Sequence, residues 1–315
     1  MDQKLFIIAF RCGRLANRLV LFANFIAFAE EQGHRVINFT FHSYAHLFGA
    51  TRRDIYCQYP VPGGRSWLDS IPMVAEGIRR TRLFYHAVRA ASRLNERLAV
   101  FGRSTVTLRE SEGREITLLD GPEVQTRIGA AGTVFVYGWN FRAPGCVQRH
   151  AEKIRAYFKP LETHERSINE VVDGLRQHAD ILVGVHIRLG DYREWKGGKY
   201  FFPVSCYANW MRELADQFPG RKVSFLVCSN EPRHAEEFPG LSVGFGTGVP
   251  VQDIYALARC DYIIGPPSTF SQWASFYGNT PLLHLSDSGD RIERGSFRVS
   301  DLGEIPGYSQ PKSGS

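Results

Sequence analysis

The run Ile181–Arg188, I-L-V-G-V-H-I-R, constrains this chain more than any other stretch. It is apolar, β-branched and of strand length, without the alternation of a half-wet strand, and so reads as a strand buried on both faces of a parallel sheet. A sheet of that kind must be covered by helices. The chain supplies them in alternation: helix over 204–217, strand over 222–228, a short helix, strand over 241–245, helix over 251–259, strand over 261–264, helix over 271–277 and strand over 281–285. The first half opens the same way. A strand over 4–10, a helix over 19–31 closed by Gly33, and a strand over 34–39 make a βαβ unit. Strands over 105–108, 116–119 and 133–137 and helices over 146–158 and 161–178 follow. The expectation is an α/β chain with a Rossmann-like domain over 1–160, a second over 161–302, and a polar, loose tail over 303–315.

Ligands of open parallel sheets bind beyond the carboxyl ends of the strands. After the run at 181–188 come His186, Arg188, Asp191, Tyr192, Arg193 and Glu194, around Gly190. The planar fork of Arg188 suits a phosphate, while its ordinary role would be an ion pair with Asp191 across the turn. Two further strand ends carry polar residues, Ser229–Glu231 and Ser268–Gln272. Ser268 and Thr269 precede a helix whose free amides favour negative charge, and plain capping by Ser268 is the ordinary alternative. Near the N-terminus, Gly13 follows the first strand, but the turn has neither a dinucleotide fingerprint nor a P-loop. The ordinary reading of Asn17 and Arg18 is helix capping and a solvated face. Gly138–Arg142, G-W-N-F-R, could face a sugar, and Trp139 and Phe141 fit a core equally well.

A net charge of +6 and a pI near 9.0 favour an anionic partner: nucleic acid, a membrane surface or a phosphorylated small molecule. The excess is modest and no basic–aromatic module accompanies it, so nucleic acid is not expected. The six cysteines are widely spaced without a C-x-x-C pair, which points to buried thiols and a reducing compartment. Met1–Lys4 runs straight into a strand, with no signal-peptide pattern. No apolar run approaches the ~20 residues that cross a bilayer, and the chain is expected to be cytoplasmic. Over 72–101 a helical pattern carries Arg79, Arg80, Arg82, Arg89, Arg93 and Arg97. A solvated face over a packed stripe is the usual meaning; peripheral contact of Arg79–Arg97 with the inner face of a membrane is the functional one. No metal-ligand spacing and no D-x-D segment is present, so no metal is expected.

His186-Ile187-Arg188-Leu189-Gly190-Asp191-Tyr192 resembles the H-x-R-R-G-D-Y motif of α-1,2-fucosyltransferases, the family 11 type. More loosely it resembles the H-x-R motif of protein O-fucosyltransferases and α-1,6-fucosyltransferases. Ser268-Thr269-Phe270-Ser271-Gln272-Trp273 is similar to their S-T-F-S-W-W segment, and Asp253–Ile264 to the stretch before it. Gly13-Arg14-Leu15-Ala16-Asn17 is similar to the G-x-x-x-N loop of the same superfamily. Leu189, Gln272 and Arg18 depart from the pattern, standing for Arg, Trp and Gln.

The resemblance implies a GT-B fold, two Rossmann-like domains facing a cleft, and an inverting transfer of fucose from GDP-fucose to a glycan or lipid-linked oligosaccharide, α-1,2 by the nearest family. It places Arg188 on the β-phosphate, His186 near guanosine and Asn230 beside it. Ser268, Thr269 and Phe270 would hold phosphate and nucleoside, with Gly13 and Asn17 on the diphosphate. Asp191 and Glu194 are the candidate bases. No cofactor beyond the donor is implied. The alternatives are another nucleotide sugar, or a non-catalytic protein that binds a GDP-sugar or a glycan.

Overall fold

The computed structural model describes residues 2–54, 56–63, 86, 90, 104–110 and 115–308. They form two compact α/β units. The first runs to Leu161 and takes in Asp301–Ile305; the second is Glu162–Ser300 with the residues from Pro306. The arginines of the basic segment, and with them the membrane reading of Arg79–Arg97, lie outside the described residues.

The first unit holds a five-stranded sheet in the order β3 (Gln58–Tyr59), β2 (Arg35–Ile37), β1 (Leu5–Ile8), β6 (Thr133–Tyr137), β4 (Thr105–Arg109). All neighbours are parallel except the edge strand β3. Two short strands, β5 (Thr117–Leu118) and β7 (Phe141–Arg142), pair separately. Helix α1 (Leu15–Gln32) lies against this sheet and is buried almost throughout from Leu15 to Ala29. It starts one turn before the expected Leu19, because Leu15 and Ala16 already belong to the buried face. Phe6 of β1 meets Phe25 and Phe28 of α1 at ring separations of 5.9 and 5.6 Å. Gly33, at φ 68°, ends the helix by turning left-handed, as its position after the last periodic residue predicts.

The short helix α2 (Pro122–Ile128) follows β5. The single helix expected over 146–158 is two, α3 (Pro144–Arg149) and α4 (Ala151–Tyr157). His150, at φ −110° and ψ 19°, is non-helical and breaks them. Its Nε2 lies 2.7 Å from Glu31 at the end of α1, and Arg149 donates to the same carboxylate at 3.0 Å. That anchor, from outside the segment, is what periodicity alone does not see.

The second unit is wholly parallel: β10 (Ser242–Phe245), β9 (Val223–Ser229), β8 (Ile181–Ile187), β11 (Tyr262–Gly265), β12 (Leu282–His284). Every residue of β8 is buried, as its unbroken apolar run requires. Helices α5 (Glu162–Arg176), α6 (Val204–Asp216), α7 (Pro250–Leu257) and α8 (Thr269–Gly278) supply the cover. Val183, Val185 and Ile187 face a core with Trp210, Met211 and Leu214 of α6. Gly184 lies on the other side, where an added Cβ would come 2.7 Å from Leu257 of α7, so only glycine lets that helix approach.

Candidate active site

In the second unit the strand order reverses at β8: β9 lies on one side of it and β11 on the other. Their carboxyl ends are therefore adjacent, at the position where parallel sheets open a crevice. The three polar segments picked out in the sequence leave from these three strands.

Arg188 follows β8 directly. Its Nη2 donates to Asp191 Oδ2 at 2.8 Å, and the guanidinium lies over the Tyr192 ring, 5.3 Å from its centroid. The side chain keeps 17% of its surface exposed. Its Nε is buried and has no hydrogen-bond partner among the described residues. The ion pair of the ordinary reading is thus present, yet it uses only part of the fork. A buried donor left without a partner costs about 1–3 kcal/mol, and a ligand is one way to satisfy it.

His186, one turn of the strand earlier, is 3% exposed and stacks on Phe270 at 4.9 Å and 28°. Its Nδ1 is also buried without a partner. Burial first, then the Arg188 charge and His284, push its pKa down to about 3. Burial brings His284 on β12 down to about 4, and its Nε2 lies 3.3 Å from Ser271 Oγ. Both rings are neutral at physiological pH. The two rings therefore add polar groups without charge beside the Arg188–Asp191 pair.

The turn after Arg188 is clamped from β9. Asn230 Oδ1 accepts from the Leu189 amide at 2.9 Å and Glu231 Oε1 from the Gly190 amide at 3.0 Å. Gly190 has φ +35°, and a Cβ there would fall 2.6 Å from Asn230 Nδ2. Asn230, expected beside guanosine, spends its oxygen on this turn. On the β11 side, Tyr192 Oη donates to the Pro267 carbonyl at 2.7 Å. Burial raises that phenol to about 12, so it stays a donor, and it ties the arginine's loop to the residue before Ser268.

Ser268 caps α8, its Oγ accepting from the Phe270 amide at 3.2 Å. The capping of the ordinary reading is present here too. No acidic residue lies in the first turn of α8, so its N-terminal amides and dipole are not neutralised from within the helix. Thr269 and Phe270 are half-buried, and Asp191 and Glu194 are exposed along the loop from Gly190.

Gly13 and Asn17 belong to the first unit, after β1 and in the first turn of α1. Gly13 has φ +40° and packs on the Asn17 side chain. Arg18 corrects the expectation of a solvated face. It is 2% exposed and donates to the Cys12 and Gly13 carbonyls at 3.2 and 3.3 Å, to the Thr40 carbonyl at 2.6 Å and to Ser43 Oγ at 2.7 Å. Arg142, in the G-W-N-F-R loop, is fully buried. Its Nη1 donates to the Trp139 and Phe141 carbonyls at 2.6 and 2.9 Å, while Nε and Nη2 have no partner among the described residues. Phe141 is core and packs on Phe25.

Tyr192 and Glu231 had stood in the sequence only as parts of motifs, without a role. His284 carried no local signal, since only the pairing of β12 with β11 brings it near Ser271. Among the described residues no group of three His, Cys, Asp or Glu side chains could hold a metal ion, and no helix is long and apolar enough to cross a membrane. All six cysteines are free thiols, five of them buried.

Residues 133–283 match the family model described as glycosyl transferase family 11. The chain is a glycosyltransferase, and just under half of it is similar to that family. The matched stretch runs from β6 of the first unit into β12 of the second, and so contains His186, Arg188, Asn230 and Ser268, stopping one residue before His284. Solved structures agree in fold. A mutant of FUT1 from Arabidopsis thaliana, in complex with GDP, superposes with a TM-score of 0.55 at 14% identity, over 94% of this chain and 74% of that one. The fucosyltransferase NodZ from Bradyrhizobium gives 0.51 at 16% identity, over 92% and 98%. NodZ α-1,6-fucosyltransferase soaked with GDP-fucose gives 0.51 at 16%, over 91% and 98%. The glycosyltransferase has the α/β GT-B fold of these enzymes. No curated protein matches its sequence.

Proposed function

We propose that the second unit holds the GDP portion of GDP-fucose and that the enzyme passes fucose, with inversion, to a hydroxyl of a glycan or lipid-linked oligosaccharide, in α-1,2 linkage. The observation that carries this reading is Arg188. It stands at the switch point of a parallel sheet, half of its fork on Asp191 and its buried Nε unspent. The GDP and GDP-fucose bound to NodZ and to FUT1 support the choice of nucleotide.

In the reaction the acceptor oxygen attacks the anomeric carbon, the bond from that carbon to the β-phosphate oxygen breaks, and the electron pair leaves with GDP. Negative charge grows on the diphosphate, where Arg188 and the amides at the start of α8 oppose it. Ser268, Thr269 and Phe270 line the nucleotide side, with His186 stacked beneath Phe270. Asp191 and Glu194 are the carboxylates on the arginine's loop that could take the acceptor's proton. Asp191 orients Arg188 as well, so the two differ in expected effect: Asp191→Asn lowers both donor affinity and turnover, whereas Glu194→Gln lowers turnover alone if it is the base.

The deciding experiment is a donor panel of GDP-fucose, GDP-mannose and UDP-sugars, first by calorimetry and then by nucleotide release with a screen of glycan acceptors. Binding and turnover with GDP-fucose are expected. Preference for a UDP-sugar would overturn the donor, and tight GDP binding without release for any acceptor would mark a non-catalytic binder.

A further inference from the structure

The segment Pro306–Tyr308 lies at the end of the described chain, far in sequence from Arg188, yet it packs on the arginine's loop. Gly307 is at φ +78°, and its backbone comes so close that a Cβ would lie 2.8 Å from Trp195 and 3.2 Å from Tyr200. Its carbonyl accepts from Lys196 Nζ and, at 3.3 Å, from Tyr200 Oη. The Lys196 ammonium is held between two rings, 3.3 Å from the Tyr308 centroid and 5.5 Å from that of Trp195.

The loop beneath needs such support. Lys196, Gly197 and Gly198 all have positive φ, at 52°, 67° and 78°, and left-handed backbone is costly for lysine. Trp195 continues the contact inward. It packs on Tyr192 at 4.7 Å, and Tyr192 carries the Arg188 guanidinium and bonds the Pro267 carbonyl. A row of rings thus runs from the strap to the cation.

We propose that Pro306–Tyr308 is a positioning strap that, through Lys196, Trp195 and Tyr192, fixes the Arg188 loop for binding a nucleoside diphosphate. The inference rests on the donor reading above. It assigns the strap's effect to the phosphates, not to the base or ribose, because the row of rings ends at the guanidinium.

The test is calorimetric titration of GDP and of guanosine into the wild type, Gly307→Ala, Lys196→Met and Lys196→Arg, each with its thermal unfolding curve. Gly307→Ala puts a methyl group into Trp195 at a left-handed position; Lys196→Met removes the donor and the cation. Both are expected to weaken GDP by about tenfold, the scale of one charge-assisted hydrogen bond misplaced. Guanosine affinity should hold in both. The unfolding midpoint should hold for Lys196→Met and fall only slightly for Gly307→Ala, whose methyl group strains a left-handed position. Lys196→Arg, which keeps charge and donors, should bind nearly as the wild type does. GDP affinity unchanged in both damaging variants overturns the strap, as does an equal loss for GDP and guanosine. A wild type that fails to bind GDP overturns the donor reading instead, so the two failures are distinct.

Discussion

The two units repeat one arrangement and use it oppositely. In each, the loop after the central first strand turns at a left-handed glycine, Gly13 at φ +40° and Gly190 at φ +35°, packed against an asparagine amide, Asn17 or Asn230. In each, an arginine stands near the turn. Arg18 is buried and bonded to three carbonyls and a hydroxyl, whereas Arg188 spends one nitrogen on Asp191 and keeps its buried Nε unbonded. A guanidinium that satisfies itself on backbone closes a fold; one held in place with donors to spare can close on a ligand. Arg142 lies between them, fully buried but with only Nη1 bonded.

Substitution should separate the three. Arg188→Ala gives the largest change: transfer falls by about 100-fold or more, the usual cost of one preorganised donor, while the thermal unfolding curve barely moves. A folded variant with wild-type turnover would remove the contrast. Arg18→Met acts on stability instead. It strands several buried carbonyls and should cost about 3 kcal/mol, read as a lower denaturant midpoint. Arg142→Met should cost less, about 1–2 kcal/mol, because two of its nitrogens have nothing to lose. If Arg142→Met proves as damaging as Arg18→Met, unbonded nitrogens are no guide to role.

A further effect, seen only as pH falls, concerns two histidines. His186 and His284 have folded pKa values of about 3 and about 4, below the ~6.5 of an unfolded histidine. The unfolded chain therefore takes up protons first as pH falls below ~6.5. Their contribution is complete above that value and is lost as pH drops toward the folded values. Each should add up to ~1.4 kcal/mol per pH unit to the slope of stability between pH 6 and pH 4. His284→Gln should flatten that slope; an unchanged slope would mean that the ring is not held neutral.

Much of this was legible in the sequence. The apolar run that begins at Ile181 is a buried strand that stops one residue before Arg188, and Gly33 and Ser268 stand where caps are needed. The polar groups after β8, β9 and β11 could be placed on one edge because parallel strands open on one edge. Arg18 was misread because a charged residue in a helix's first turn looks solvated until the carbonyls of Thr40 and Cys12 are brought to it. The break at His150 depends on Glu31, more than a hundred residues away in sequence, and the pairing of Ser271 with His284 on β11 lying beside β12. The Gly307 contacts depend on a chain end folding back across the loop. None of these has a local pattern to betray it.

The central claim is that Arg188 grips the diphosphate of the donor. Calorimetric titration of GDP into the wild type and Arg188→Ala, at matched ionic strength, tests it most directly. The account predicts clear binding by the wild type and a loss of about 100-fold or more in a variant that unfolds at the same temperature. Equal GDP affinity in the two proteins would contradict it.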